Sequence, residues 1–231
     1  MALYAIGDLH LSIGTGKSME VFGGRWVDYM EKIKAGFAAV VRPEDTVVLC
    51  GDSAWGMGLE AAREEFAFLN ALPGKKILLK GNHDYWWSTA SKAYAFFEKE
   101  GFSDLFVLHN NCYFYGDTIA ICGTRGWFFE EEKGAAHDKK VMDREILRLE
   151  ASLKAAGERT KYVFLHYPPR YQGYECPEIL DLLEQYDVPL CVYGHIHDKG
   201  CAYAFTGENR GTRYCLVSAD HVQFIPQKIL D

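Results

Sequence analysis

The chain has 231 residues, of which 48% are hydrophobic and 25% are charged, and its formal net charge is −7. This length and composition predict one globular α/β domain over residues 1–231. No apolar run approaches the roughly 20 residues that span a bilayer. The negative charge argues against non-specific binding to nucleic acid, although a local basic cleft would still permit it.

The N-terminal residues and the cysteines favour a cytoplasmic protein. The run Leu3–Ile6 leads at once into Gly7, without the basic segment or the long apolar segment of a secretory signal. The seven cysteines are odd in number and form no Cys-x-x-Cys pair. Because Cys50, Cys122 and Cys191 lie in apolar, strand-like runs, we predict reduced, buried thiols rather than disulfides or a thiolate metal site.

Buried strands alternate with amphipathic helices over the first hundred residues. The predicted strands are the apolar runs Leu3–Ile6, Thr46–Cys50 and Ile77–Leu79. The predicted helices run from Val27 to Pro43, from Leu59 to Leu72 and from Ser88 to Glu100. In the last helix Ser88 is the expected N-cap, and Tyr94 is expected to face the core. This order favours a largely parallel sheet covered by helices.

The pattern changes after residue 104. Three short β-type runs separated by turn residues predict an antiparallel meander: Leu105–His109, Cys112–Tyr115 and Thr118–Cys122. A solvated loop with the acidic run Glu130–Glu132 is expected next. The remaining predicted elements are a helix from about Asp138 to Ala156, a strand at Tyr162–Leu165, a helix opened by Pro177, a strand at Leu190–Tyr193, and β-type runs between Tyr203 and Ile225, such as Arg213–Ser218, that finish a second sheet.

Polar residues of metal-binding type follow five of the predicted strands. They are Asp8, His10, Asp52, Asn82, His83, Asp84, His166, His195 and His197. Open α/β sheets bind their ligands at the carboxyl ends of strands. A single histidine at such a place is most often a hydrogen-bonded structural residue, but a cluster of five histidines with buried carboxylates would be costly to desolvate without an ion. The other three histidines, His109, His137 and His221, fit no such position and are expected to be structural.

The order of these motifs resembles the signature of the calcineurin-like metallophosphoesterase superfamily. Between Asp8 and His197 the chain reads Asp-x-His, Gly-Asp, Gly-Asn-His-Asp, His and Gly-His-x-His. Five motifs in this order are specific, whereas each alone is weak. The resemblance implies a four-layer α/β/β/α sandwich of two mixed sheets flanked by helices, with a two-metal site at the strand ends.

The resemblance also implies a role for each motif position. Asp8, His10 and His197 would bind one ion, Asn82, His166 and His195 the second, and Asp52 both, while His83 would be the proton donor and Asp84 would orient it. Mixed nitrogen and oxygen ligation suits two divalent transition-metal ions, Mn, Fe or Zn first and Ni or Co next. The implied reaction is attack of a metal-bridging hydroxide on the phosphorus of a small phosphomonoester or phosphodiester.

Two departures from the family pattern narrow the range of possible substrates. Many relatives carry a further Asp three residues after Asp52, where this chain has Trp55. The arginine-bearing extension of phosphoprotein phosphatases is missing, and Asp84 stands where they have Glu, which argues against a phosphoprotein substrate. We expect a small phosphorylated partner and no membrane partner, and the oligomeric state stays open. A nuclease, or a non-catalytic scaffold of the same fold that binds proteins, remains as an alternative.

Several aromatic residues and one arginine lie just beyond predicted strand ends. The tryptophans are Trp55, Trp86, Trp87 and Trp127. Packing of loops is their commonest role, and the sharper hypothesis is an aromatic rim that stacks on a nucleobase or excludes water. Arg125 and Trp127 share a loop and are candidate substrate residues, with Arg125 as a phosphate clamp. A solvated arginine is the alternative interpretation.

Overall fold

The two halves of the chain contribute strands to different sheets, except that the last strand joins the sheet of the first half. A computed structural model describes residues 1–127 and 135–231, without the side chains of residues 135–137. The predicted acidic run Glu130–Glu132 and the His137 side chain therefore lie outside the described residues. In the first half the elements are β1 (Leu3–Ile6), α1 (Tyr29–Val40), β2 (Thr46–Leu49), α2 (Arg63–Ala71), β3 (Lys75–Leu78), α3 (Ala90–Glu100) and β4 (Leu105–Val107).

The second half begins with a hairpin and continues with parallel strands. Its elements are β5 (Tyr113–Tyr115), β6 (Ile119–Thr124), α4 (Ala135–Ala155), β7 (Thr160–Leu165), β8 (Arg170–Tyr171), β9 (Tyr174–Glu175), α5 (Pro177–Gln185), β10 (Leu190–Tyr193), β11 (Gly207–Asn209), β12 (Thr212–Leu216) and β13 (Gln227–Leu230). Short 3-10 segments occur at Met19–Phe22, Gly24–Trp26 and Asp198–Tyr203. No helix in residues 1–127 and 135–231 is long and apolar enough to cross a membrane.

Both large sheets are mixed. The first has the strand order β13-β1-β2-β3-β4, in which β1 to β4 are parallel and β13 is antiparallel to β1. The second has the order β11-β12-β10-β7-β6-β5, with a parallel centre and an antiparallel strand at each edge. The strands β8 and β9 form a separate small hairpin.

The sheets pack face to face because alternate residues of each strand point to opposite sides. In β1, Leu3 and Ala5 join the core between the sheets, where they meet residues of the second sheet such as Phe164. Tyr4 and Ile6 of the same strand face the helices α1, α2 and α3. The outer face of the second sheet is covered by α4 and α5. This arrangement confirms the expected four-layer α/β/β/α sandwich.

The predicted antiparallel meander is wrong in its first strand. β4 pairs in parallel with β3 and so belongs to the first sheet, while β5 and β6 form a hairpin at the edge of the second sheet. The chain therefore crosses between sheets around Asn110 and Asn111. Alternating hydrophobicity identifies a strand but does not identify its partner, which depends on packing far along the sequence. For the same reason β13, which is half polar and lies at a sheet edge, was not predicted.

Smaller differences from the prediction concern the third helix, whereas the thiols agree with it. The N-cap of α3 is Thr89, whose hydroxyl accepts from the Lys92 N–H, and not Ser88. Tyr94 is 38% exposed, contrary to prediction, because its hydroxyl reaches backbone groups of β4. The three strand cysteines are fully buried, as predicted, and burial raises the pKa of their thiols.

Candidate metal centre

The two carboxylates of the first sheet come together because β1 and β2 are parallel neighbours. The loops that follow these strands leave the same edge of the sheet and continue side by side. The Asp8 N–H donates to the Gly51 carbonyl oxygen at 2.9 Å, and the His10 N–H donates to the Asp52 carbonyl oxygen at 2.9 Å. Asp8 and Asp52 are both almost completely buried.

Four of the predicted ligands have an unusual backbone conformation. The φ angles are 59° at Asp8, 46° at His10, 51° at Asp52 and 72° at His195. Residues other than glycine rarely adopt such positive angles. They cost roughly 1–3 kcal/mol each and persist where the surrounding structure holds them, which is typical of functional sites.

Two glycines permit the loops to approach these carboxylates. A Cβ atom on Gly81 would overlap Oδ1 of Asp52, and one on Gly194 would overlap Oδ2 of Asp8. Both overlaps are with fixed, buried groups, so any larger residue would displace the carboxylate. The glycines of the Gly-Asn-His-Asp and Gly-His-x-His motifs are therefore required by close packing at the site.

Three histidines of the site come from the second sheet, whereas His10 and His83 follow β1 and β3 of the first sheet. β7 and β10 are parallel neighbours, so His166 and the segment 195–197 leave one edge together. That edge meets the first sheet where the Gly7 N–H donates to the Val217 carbonyl oxygen at 2.8 Å. The junction places the imidazoles of the second sheet against the carboxylates of the first.

Two overlapping groups of three side chains could each hold a metal ion. One group is Asp8, His10 and His197, the other is Asp8, Asp52 and His166, and the ligand atoms within each group lie within 4.8 Å of one another. Oδ1 of Asp8 lies 3.6 Å from Nε2 of His197 and 3.7 Å from Nδ1 of His166. Oδ2 of Asp52 lies 3.7 Å from Nε2 of His10 and 3.6 Å from Nε2 of His166.

Asn82 joins the second group through His166. Nδ1 of His166 lies 3.0 Å from the Cys50 carbonyl oxygen, which can only accept, so this nitrogen carries the proton. Burial lowers the pKa of His166, which favours the neutral ring. Nε2 then has a free lone pair, and it lies 2.6 Å from Oδ1 of Asn82. Two acceptors that converge in this way are the expected arrangement of two ligands of one cation.

His195 lies beside the site but belongs to neither group of three. Its backbone N–H donates to Oδ2 of Asp8 at 2.8 Å. Its ring packs on Tyr167, with ring centroids 4.4 Å apart, and burial lowers its pKa to about 3. His109 and His221 are also outside both groups.

The charges of the site fit divalent cations. Oδ1 of Asp8 is buried and has no hydrogen-bond donor among the described residues. Burial, together with the carboxylates of Asp84 and Asp8, raises the pKa of Asp52 well above its usual range. Burial lowers the pKa of His10, so its ring is neutral. The neutral imidazoles of His10 and His166 beside crowded carboxylates are what a bound cation requires.

Asp220 supports His197 from behind and was missed in the sequence. Its Oδ1 lies 2.8 Å from Nδ1 of His197, and its Oδ2 accepts from the Asp198 N–H at 2.9 Å. Burial would lower the pKa of His197, but the hydrogen bond to Asp220 and the negative charges of Asp8 and Asp220 raise it to about 10. Such carboxylates orient metal-bound imidazoles. The available signal was a carboxylate two residues after the predicted strand Arg213–Ser218.

His83 lies at the mouth of the site, with its ring between aromatic neighbours. Its backbone N–H donates to Oδ1 of Asp52 at 2.7 Å. Its ring centroid is 4.7 Å from that of Trp55 and 5.7 Å from that of His10. Nδ1 of His83 lies 3.1 Å from the Tyr85 hydroxyl, a partner that the sequence did not reveal. Burial and a neighbouring imidazole lower the pKa of His83.

The Asp84 carboxylate, predicted to orient His83, makes its hydrogen bonds with other groups of the neighbouring loops. It accepts six hydrogen bonds, from the backbone N–H groups of Gly81, Asp52, Ser53 and Ala54, the Ser53 hydroxyl and the Trp86 indole. Within the described residues none of its hydrogen bonds reaches the His83 ring. A buried carboxylate is satisfied most effectively by converging N–H groups, so Asp84 joins the loops after β2 and β3.

Arg125 and Trp127, the candidate substrate residues, both contact acidic side chains of α4. Trp127 is 4% exposed, and its indole N–H donates to Asp138 at 3.1 Å. The Arg125 guanidinium stacks on this ring and lies 3.4 Å from the buried carboxylate of Glu145. Glu145 attracts the guanidinium towards α4 because a buried carboxylate needs a cation or donors. The Arg125 carbonyl oxygen contributes to the site indirectly, by accepting from the His166 N–H at 3.1 Å.

The aromatic rim is smaller than predicted and has an unpredicted member. Trp86 is buried, and Trp87 packs against it at a centroid distance of 5.1 Å. Trp55 stacks on the site, with its ring centroid 5.2 Å from that of His10. Trp26, which follows the long glycine-rich loop, is buried with its ring 6.0 Å from that of His10. Trp26 was not predicted as a rim residue because it lies far along the chain from any predicted strand end.

Solved structures of other proteins share the fold of this chain. The solved structure of a phosphopantetheinyl hydrolase from Mycobacterium tuberculosis is 15% identical, with a TM-score of 0.62, over 99% of this chain and 95% of that chain. A protein of unknown function from Aquifex aeolicus is 18% identical, with a TM-score of 0.54, over 98% and 95%. A Thermus thermophilus protein is 14% identical, with a TM-score of 0.55, over 90% and 89%.

These likenesses concern the fold, whereas the family is established by sequence. Among curated proteins, none matches this chain. The sequence pattern of the calcineurin-like phosphoesterases, in contrast, matches residues 1–199. This span includes every predicted ligand from Asp8 to His197 and so confirms the resemblance drawn from the motifs. The chain belongs to the calcineurin-like phosphoesterase family.

Proposed function

We propose that the protein is a phosphohydrolase whose residues 1–231 form one domain and hold two divalent transition-metal ions. The observation that carries this proposal is Oδ1 of Asp8. This atom is buried, has no hydrogen-bond donor in the part of the chain that the structure describes, and belongs to both candidate ligand groups. A buried, ionised oxygen without a donor is costly unless a cation binds it.

The ligands divide into two sets that share one carboxylate. The first ion would be bound by Asp8, His10 and His197, and the second by Asn82, His166 and His195. Asp52 suits the bridging position because its Oδ2 is almost equidistant from Nε2 of His10 and Nε2 of His166, at 3.7 and 3.6 Å. The mixture of nitrogen and oxygen donors favours Mn, Fe or Zn, with Ni and Co next.

When bound, such a pair of ions polarises phosphoryl oxygens and supplies a nucleophile at neutral pH. The reaction also requires a proton donor to the leaving oxygen, and we assign this role to His83. Its ring is half-exposed at the mouth of the site, and its loop is held through the Asp52 carboxylate. Tyr85 fixes the ring through Nδ1, which leaves Nε2 to face a substrate.

Metal content and ester hydrolysis together test the proposal. Protein purified in chelator and reloaded with Mn, Fe or Zn should bind close to two ions per chain. It should then hydrolyse nitrophenyl monoesters or diesters and lose this activity in chelator. Absence of bound metal, or hydrolysis that persists in chelator, would refute the dinuclear site. A fully loaded protein that hydrolyses no ester would favour the non-catalytic scaffold, and cleavage of nucleic acid alone would favour the nuclease.

The role of His83 is tested with two leaving groups. His83→Ala should slow alkyl esters, whose leaving oxygen needs a proton, by about 10²–10⁴-fold. Nitrophenyl esters should slow much less, and the metal content should stay near two. His109→Ala is the matched control because His109 lies outside both ligand groups. Equal slowing of both ester classes, or loss of an ion, would show that His83 is not the acid.

A further inference from the structure

A cavity opens beside the candidate metal centre. Its volume is about 770 Å³, and its walls include Asp198 and Asp220. Asp198 follows His197 in the chain, and Asp220 contacts Nδ1 of His197 at 2.8 Å. The cavity thus shares a wall with a predicted metal ligand, and its size is that of a site for a small organic molecule.

Three basic side chains line this cavity in a protein that is acidic overall. They are Arg25, Lys32 and Lys199. Within the described residues none of them forms an ion pair with a carboxylate, whereas the surface arginine Arg210 pairs with Asp181. The ammonium group of Lys32 donates to the Arg25 carbonyl oxygen at 2.9 Å and so fixes the short segment that carries Arg25.

The carboxylates of the cavity do not cancel this charge. Both oxygens of Asp220 are occupied, one by His197 and the other by the Asp198 N–H. The Asp198 carboxylate can pair with one of the three cations, and Asp220 already pairs with His197, so the lining keeps an excess of positive charge. A site of this charge, with Arg as a bidentate donor, suits a phosphoryl group.

The cavity is coupled to the metal centre by its lining residues. Trp26, the neighbour of Arg25, lies with its ring 5.9 Å from that of His197. Phe224 lines the cavity and packs edge-on against Trp26 at 5.3 Å. A ligand bound between Arg25 and Lys199 therefore lies next to the exposed edge of His197.

We propose that the substrate is an organic phosphoester that carries a second phosphoryl group, bound by Arg25 and Lys199 while the first is hydrolysed. This inference rests on the proposed phosphohydrolase function. Hydrolysis adds one water across the scissile P–O bond: the water oxygen bonds to phosphorus, and the leaving oxygen takes a proton. From a monoester, the products are inorganic phosphate and an alcohol that retains the second phosphoryl group. From a diester, the products are a phosphomonoester and an alcohol, one of which retains the second phosphoryl group.

A series of alkane-α,ω-diol bisphosphates, each compared with the alkyl monophosphate of equal length, tests this inference. The bisphosphate of suitable length should have a kcat/KM at least about tenfold higher, because a charged hydrogen-bond network is gained. The gain should appear in KM and shrink with added salt, since the cations are exposed. A constant ratio near one along the whole series would overturn the inference.

Substitutions locate the second phosphoryl group. Arg25→Gln and Lys199→Gln should each reduce the bisphosphate preference at least about fivefold, and together should abolish it. Arg144→Gln and Lys92→Gln are matched controls, because these are exposed cations on α4 and α3 and should keep the wild-type ratio. Equal ratios in test and control variants would place the second group elsewhere and refute the assignment.

A binding measurement separates this inference from the proposed catalysis. Calorimetry on metal-free protein at low salt should detect inorganic pyrophosphate, and the double variant Arg25→Gln, Lys199→Gln should lose this binding. If no ester is hydrolysed but pyrophosphate binding behaves in this way, the phosphohydrolase proposal fails and the anion site stands. If esters are hydrolysed without a bisphosphate preference and pyrophosphate does not bind, the anion site alone fails.

Discussion

The two sheets meet at the candidate metal centre but supply it with different chemistry. The first sheet contributes carboxylates, Asp8 and Asp52, with a third, Asp84, directly behind them. Their donors are backbone N–H groups of adjacent loops, such as that of His195 on Asp8. These contacts fix the carboxylates but leave their charge uncompensated, so the first sheet creates the need for a cation.

The second sheet contributes three imidazoles, and two of them are fixed by an acceptor at Nδ1. His166 is held by the Cys50 carbonyl oxygen, and His197 by the Asp220 carboxylate. Acceptors at Nδ1 direct Nε2 into the site. The first sheet therefore supplies the buried carboxylates together with the His10 imidazole, and the second sheet supplies imidazoles whose orientation is fixed from behind. Four substitutions test this division, in order of decreasing effect.

Removing one charge from the first sheet should have the largest effect. Asp52→Asn keeps the shape but weakens attraction for two cations, so turnover should fall by about 10³-fold or more, with loss of bound metal. In chelator, where no cation is bound, the effect of the substitution on stability should have the opposite sign. The reason is that it removes a buried carboxylate that lies near those of Asp84 and Asp8. The melting temperature without metal should therefore equal or exceed that of the wild type. Asp181→Asn, at the surface, is the control, and full metal content in Asp52→Asn would contradict its bridging role.

The donors around Asp84 should make it the most important residue for stability. Asp84→Ala leaves six buried or half-buried hydrogen-bond donors without their acceptor. The free energy of unfolding should fall by about 3 kcal/mol or more, measured by denaturant titration of metal-free protein. Glu98→Ala, at an exposed position of α3, should change it little. A stable Asp84→Ala protein with slow turnover would restore the role that the motif implies.

Loosening an imidazole of the second sheet should have a moderate effect. Asp220→Asn removes the charge behind His197, and metal affinity should fall by about 10–100-fold, as read from competition with a chelator. The stability of the metal-free protein should change less than in Asp84→Ala. Asp181→Asn again serves as the matched control. Unchanged metal affinity would mean that Asp220 does not position His197 for binding.

The smallest effect is expected at Tyr85. Tyr85→Phe removes the hydroxyl that lies 3.1 Å from Nδ1 of His83. A single hydrogen bond of this kind is worth about 0.5–1.5 kcal/mol, so kcat for alkyl esters should fall a few-fold, with KM and metal content unchanged. Tyr203→Phe, at an exposed position, is the control. A fall in KM alone, or equal slowing of nitrophenyl esters, would exclude a positioning role.

Strand identity and the polar loops were predictable because both are local properties. A buried run followed by Gly-Asp or Gly-His specifies its strand end without reference to the rest of the chain. The motif order then predicted the family and the four layers. Strand partners were not predictable: β4 and β5 are both short runs of large hydrophobic residues, but they lie in different sheets. The Arg125 side chain likewise turns to Glu145, which comes from a distant helix.

The sequence by itself determined which chemical groups stand at the strand ends, from Asp8 to His197. Only the tertiary structure decided how they are held. The Asp220 carboxylate reaches His197 because the loops after β10 and β12 lie side by side, and the donors on Asp84 come mainly from the loop after β2. Residue type follows from local pattern, whereas most of these hydrogen-bond partners belong to segments more than twenty residues away in the chain. Asp220 follows a predicted strand, but its contact with His197 became visible only once β10 and β12 were paired.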